Sequence, residues 1–184
     1  MLNRIMVRTA ALAALFVAPF TLADQSAVIS EAKPIMMNFG QNLKAELKQA
    51  MMSGGPLKGL DVCHLQAPKI AEEASQSGWQ VARTSLKWRN ENNQPDQWEQ
   101  EQLVEFERQL KAGVAPKKLW AVHEGEKETR VMKAIMTNEI CLACHGETLM
   151  PSVSKKLSEL YPNDRATGFK AGDIRGAFSL TKSK

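Results

Sequence analysis

LWAVHEGEKETRVMKAIMTNEICLACH, residues 119–145, is the stretch on which the fold turns. Leu119–His123 and Thr129–Met136 are rich in β-formers and flank Glu124-Gly125-Glu126-Lys127, so the stretch reads as two strands joined by a Gly-containing hairpin turn. Cys141-Leu142-Ala143-Cys144-His145 follows the second strand at once. Beyond it the chain keeps 39 residues (184 less 145), including Gly168, Gly172, Gly176 and a last short strand, Ala177–Thr181. An all-helical bundle carrying the same motif late in its chain would keep few residues after it. The pattern therefore predicts an α+β fold.

Upstream, Asp96 and Glu99 have the spacing of a capping box. Trp98, Leu103, Phe106 and Leu110 make an apolar stripe behind them, until Gly113 stops the helix. Trp79–Lys87 reads as a strand that runs into the polar loop Arg89–Pro95. Nearer the N-terminus, Met36, Phe39, Leu43, Leu47 and Met51 recur at spacings of three and four, which puts them on one helix face. Ser53-Gly54-Gly55-Pro56 ends that helix. A second helix is expected around Val62, Leu65, Ile70, Ala71 and Ala74, stopped by Gly78, with Pro68 bending it or marking its first turn.

The first 23 residues read as a cleaved export signal. Arg4 and Arg8 precede the apolar run Ala10–Phe20, which ends in Thr21-Leu22-Ala23. That run is about half of the roughly 20 residues a membrane-spanning helix needs. Residues 24–184 then form one expected domain, released into a periplasm or equivalent oxidising space without membrane insertion. The whole chain has 24 Lys and Arg against 20 Asp and Glu; losing Arg4 and Arg8 leaves 22 against 20, a charge of +2. The basic pI of the full chain is thus partly a property of the leader, and such a balance does not point to nucleic acid. The 161 residues that remain (184 less 23) suffice for one domain with a real core. Three cysteines are an odd number for an exported protein, and Cys63 is the one left over.

In Cys-x-x-Cys-His, each thiol adds across one haem vinyl group and the adjoining histidine meets the iron from that face. Cys141, Cys144 and His145 fill every position, which predicts one covalent haem c. The rivals are a Cys141–Cys144 disulfide, a thioredoxin-like redox pair and a zinc site. The redox pair normally sits in a βαβ unit, and no such pattern surrounds the motif. Zinc held by Cys63, Cys141, Cys144 and His145 would lack the usual second short-spaced ligand pair.

For the sixth iron position, the one methionine after His145 is Met150, too close to cross to the opposite face. Upstream stand Cys63, His64, His123 and the methionines of the first helix. Iron(III) would favour a Cys63 thiolate by lowering its pKa, while a buried inert thiol is the plain alternative. On a helix, His64 points about 100° away from Cys63, so only one of them can face the haem.

The residues now resemble a known family, the Tll0287-like haem proteins. The likeness runs through Val62-Cys63, Ala67–Ala71, Arg83–Lys87, Arg89-Asn90 and Asn93–Glu99. It continues through Cys141–Gly146, Tyr161-Pro162, Asp164–Phe169 and Gly172–Ala177. Glu91 departs from it, standing where the loop often has proline. The resemblance implies a PAS-like antiparallel sheet flanked by helices, and haem c ligated by His145 and Cys63. Arg83, Lys87, Arg89 and Arg175 recur in these blocks, and two haem propionates need partners, so Arg83 and Arg175 are candidates. Trp79, Trp88, Trp98 and Trp120 are read as core before porphyrin contacts.

Thiolate donation stabilises iron(III), which implies a low potential. A His/Cys iron has no vacant position, and no distal acid–base pair suggests a peroxidase. The leading expectation is a redox or small-ligand sensor, in which Cys63 departs on reduction and a CO- or NO-type ligand or a signalling protein reads the change. The alternative is a periplasmic electron-transfer cytochrome with a redox partner.

Overall fold

The computed structural model describes residues 22–184. The expected export segment lies outside them, apart from Leu22 and Ala23. Those two residues open α1 (Leu22–Asp61), on whose expected face Met36, Phe39 and Leu43 are buried while Leu47 and Met51 are half-buried. Gly54 (φ −157°, ψ 16°) and Gly55 (φ 64°, ψ −160°) are non-helical, so the axis breaks where Ser53-Gly54-Gly55-Pro56 predicts a stop. The chain then re-enters a helix at once, and the second helical stretch starts earlier than expected.

That stretch loosens into a π turn, Val62–Gln66, before α2 (Ala67–Ala74). Pro68 sits in the first turn of α2, where it lacks an N–H and would crowd the carbonyl four residues back. Widening the turn relieves this, and Ala67 N–H reaches back five residues to the Val62 carbonyl. Cys63 and His64 lie on this widened turn.

β1 (Trp79–Thr84) is shorter than the predicted 79–87. At Ser85 the chain turns out of the sheet: its N–H donates to Asn93 O at 3.2 Å and its hydroxyl to Arg175 O at 2.8 Å. α3 (Gln97–Lys111) has the expected capping box, with Glu99 N–H donating to Asp96 Oδ1 at 2.9 Å and Asp96 N–H to Glu99 Oε2 at 3.3 Å. β2 (Trp120–Glu124) and β3 (Glu128–Met136) form the predicted hairpin. After the motif helix α4 (Leu142–His145) comes α5 (Pro151–Leu160), which the sequence reading missed, and then β4 (Ile174–Ser183).

The sheet order is β1-β4-β3-β2, antiparallel throughout, so the last strand is a central one. Side chains alternate between its faces. Trp79, Val81, Val131 and Leu180 pack on Met36, Phe39 and Ile70 of α1 and α2. Met132, Ala134 and Ala177 pack on Leu103 and Phe106 of α3. The sheet is thus held between two helical layers, and each fully buried Phe or Leu contributes roughly 1.5–3 kcal/mol. A third cluster, Leu60 with Val153, Leu157 and Tyr161, ties α5 to the segment just before Cys63. No helix among the described residues is long and apolar enough to cross a membrane.

Gly176 shapes one end of the sheet. Its φ is +154°, and a Cβ there would lie 2.3 Å from Thr84 O. The glycine lets β4 and the end of β1 touch, while the register slips between Ile135 and Met136 on β3. The ends of β1 and β3 and the start of β4 therefore converge at one place.

Candidate functional site

At that convergence lies a cavity of about 320 Å³. α1 and the π turn supply one wall through Leu43, Leu47, Met51, Gly59 and Cys63; the sheet end supplies Arg83, Thr84, Ile135, Arg175, Gly176 and Phe178. The segment carrying α4 supplies Ile140, Cys141, Cys144 and His145, and Tyr161 closes the pocket from beyond α5. All six site residues expected from the sequence, Cys63, Arg83, Cys141, Cys144, His145 and Arg175, face this one cavity.

The other axial candidates fall elsewhere. His64 packs edge-on against Tyr161, with ring centroids 5.3 Å apart, and does not line the cavity. His123 lies on β2, its ring centroid 6.0 Å from that of Trp98. Met150 is 59% exposed. Met51 and Met136 are the methionines on the cavity wall, and Trp88 is the tryptophan there.

His145 is oriented by its backbone surroundings. Ala166 O lies 2.7 Å from Nδ1 and can only accept, so Nδ1 carries the proton and Nε2 keeps its lone pair. Burial first, then the charges of Arg175 and Arg89, hold the imidazole well below the usual histidine pKa, hence neutral and able to ligate. Phe169 stands edge-on to the ring at 6.2 Å. The Cys144 thiol is pushed up in pKa mainly by burial.

Arg89 anchors this arrangement. Its side chain is 7% exposed and forms an ion pair with Asp164 at 3.0 Å, and Nη2 donates to Cys144 O at 2.6 Å. It is committed to protein partners and is not a free cation. Asn90 holds its own loop by accepting from Asn92 N–H at 3.0 Å, and Asn163 Nδ2 donates to Glu91 at 2.6 Å, so Glu91 ties down the turn. Lys87 points away from the cavity, donating to Thr167 O and standing 5.1 Å over the Phe169 ring. Nothing in local sequence spacing could have revealed the Arg89–Asp164 pair, because its members are 75 residues apart.

Arg175 donates to Ser85 Oγ at 3.2 Å and Lys87 O at 3.3 Å. Burial, with Arg89 and Arg83 close by, lowers its pKa to about 10. Arg83 is different again: its guanidinium stands 5.9 Å over the Phe39 ring, and among the described residues it has no hydrogen-bond acceptor or ion-pair partner. The guanidiniums of Arg83, Arg89 and Arg175 thus line a cavity whose lining holds no carboxylate, and Asp164 is ion-paired to Arg89. Such an imbalance calls for anionic groups inside the pocket.

The donor set fits a c-type haem: Cys144 and His145 on the short helix α4 with Cys141 at its N-cap, a third thiol on another wall, apolar sides, and cations for two propionates. It does not fit zinc, since among the described residues no three His, Cys, Asp or Glu side chains are grouped to hold a metal ion alone. All three cysteines are free.

The solved structure of the cyanobacterial haem protein Tll0287 superposes with a TM-score of 0.62 at 23% identity, covering 90% of this chain and 98% of that one. No curated protein matches the chain. The sequence profile of the Tll0287-like family matches residues 10–183. The α+β fold, the pocket at the sheet end and this near full-length match lead to one conclusion: the chain belongs to the Tll0287-like family.

Proposed function

We propose that the chain is an exported monohaem cytochrome of PAS-like architecture, with haem c held through thioether bonds at Cys141 and Cys144. His145 and Cys63 are the axial ligands, and Arg83 and Arg175 receive the propionates. The observation that carries this reading is the convergence of the motif, the odd thiol Cys63 and the unpartnered Arg83 on one cavity. Bound haem supplies a one-electron couple, and the chain's residues set its conditions.

His145 presents a neutral Nε2 lone pair, fixed by the bond to Ala166 O. Cys63 offers a sulfur donor on a turn whose backbone hydrogen bonding is already relaxed, so it can move without unwinding an α-helix. Thiolate donation lowers the potential, and loss of that bond on reduction would open a position for a CO- or NO-type ligand or change a surface read by a signalling partner. This favours a redox or small-ligand sensor. Electron transfer with a redox partner is the second reading, favoured by Ile140, which lines the cavity yet is 45% exposed and so leaves one side of the pocket near solvent.

The deciding experiment is the optical and EPR spectrum of the haem-loaded protein beside Cys63→Ala and His64→Ala. A low-spin thiolate signature lost only in Cys63→Ala supports the ligation. An unchanged Cys63→Ala spectrum overturns it. Prompt CO binding by the reduced protein favours sensing, and its absence favours electron transfer.

A further inference from the structure

Ala166 has no side-chain chemistry, yet its carbonyl accepts two hydrogen bonds, from His145 Nδ1 at 2.7 Å and from Arg89 Nη2 at 3.2 Å. The same Nη2 donates to Cys144 O at 2.6 Å, the carbonyl just before His145 and one of those left open at the end of α4. Arg89 Nε donates to Asp164 Oδ2 at 3.1 Å, and Asp164 Oδ1 accepts Ala166 N–H at 2.8 Å. The ring of contacts closes on itself. Ala166 is fully buried and Arg89 nearly so, which leaves little water to compete.

We propose that Arg89 is a positioning residue for His145, which holds the motif helix and the histidine's acceptor as one unit and limits how strongly the Nδ1–H is drawn. The inference rests on His145 being an axial ligand. A carbonyl that accepts only the imidazole N–H makes the ring a stronger donor to its metal. A second donor on the same oxygen takes part of that electron density, so the imidazole donates less. The guanidinium charge acts in the same direction, favouring the reduced state, and Asp164 offsets it. Arg89 and Asp164 therefore pull the potential in opposite directions.

The test uses the haem-loaded chain with Arg89→Gln, Arg89→Lys and Asp164→Asn, read by spectroelectrochemistry and by the hyperfine-shifted Nδ1–H resonance of His145 in the ferric protein. At fixed poise, Arg89→Gln is expected to lower the ferrous-to-ferric ratio about tenfold, which is about 59 mV for one electron. Arg89→Lys keeps the charge but not the fork, and lowers the ratio less. Asp164→Asn is expected to raise it, because it removes the opposing charge and leaves the Arg89 donors in place.

Opposite signs at the two positions cannot come from mere loosening of the loop. Should the Nδ1–H resonance persist while both substitutions leave the potential fixed, or move it the same way, the positioning role is overturned. If Arg89→Gln does not accumulate, Arg89→Lys and Asp164→Asn carry the test alone. A wild-type protein with haem attached but no such resonance overturns the His145 ligation itself, and the proposal with it.

Discussion

Arg83 stands over the ring of Phe39, its guanidinium carbon 5.9 Å from the centroid, and among the described residues that guanidinium has no hydrogen-bond acceptor and no carboxylate ion-pair partner. A cation in that position is half satisfied by the ring and wants an anion on its cavity side.

Two opposite outcomes follow for Arg83→Met. With a haem propionate against Arg83, the haem-loaded variant keeps a buried carboxylate without its partner and is expected to lose about 3–5 kcal/mol in urea denaturation, with Arg83→Lys recovering part. If nothing anionic faces Arg83, Arg83→Met is neutral or stabilising.

Gly176→Ala tests the closeness of β4 to β1. The added methyl would lie 2.3 Å from Thr84 O at a φ of +154°, so both backbone strain and overpacking apply. A loss of about 2–5 kcal/mol is expected by chemical denaturation. Gly172→Ala separates the two causes, since its φ is +90° but nothing lies within 4 Å of the new methyl. It should cost only about 1–2 kcal/mol. Equal losses at the two glycines would show that the contact with Thr84 is not tight.

Glu31 fastens the N-terminal half of α1 to the sheet. Its Oε1 accepts from Lys182 Nζ at 2.5 Å and from Trp79 Nε1 at 3.0 Å, and these bonds, the lysine's first, hold its pKa below the ordinary carboxylate value. A depressed folded-state pKa contributes stability that is complete above the unfolded value of 4.5 and is lost as pH falls through the folded one. The pair is about half exposed, so Glu31→Gln should cost at most about 1 kcal/mol at pH 7, less in high salt. Thermal melts of wild type and variant should converge on acidification; a gap that widens in acid would contradict the assignment.

The hairpin of β2 and β3 and the helix α3 were legible because alternation, a glycine turn and a capping box are local signals. α5 was not, since Pro151–Leu160 offers two buried apolar positions, Val153 and Leu157, in a largely polar run. β4 was read as five residues and is ten, because Ile174-Arg175-Gly176 carries an arginine turned to the pocket and a glycine needed for close approach, neither of which signals a strand. The cysteine motif announced itself. Cys63 was singled out by cysteine parity and then by resemblance, whereas the Arg89–Asp164–Ala166 unit exists only through contacts between distant segments.

The position of β4 also bears on how the chain matures. Until residues 174–183 are present, β1 and the hairpin of β2 and β3 have no central strand to join them, and both keep open edges that invite pairing with other chains. β1 must wait for a partner roughly a hundred residues away, as the Trp79↔Lys182 register shows, so sheet closure is a late and slow event. Cys141–His145 is synthesised before Arg175, Gly176 and Phe178 of β4, which leaves an interval before closure in which the motif is accessible and its pocket unfinished.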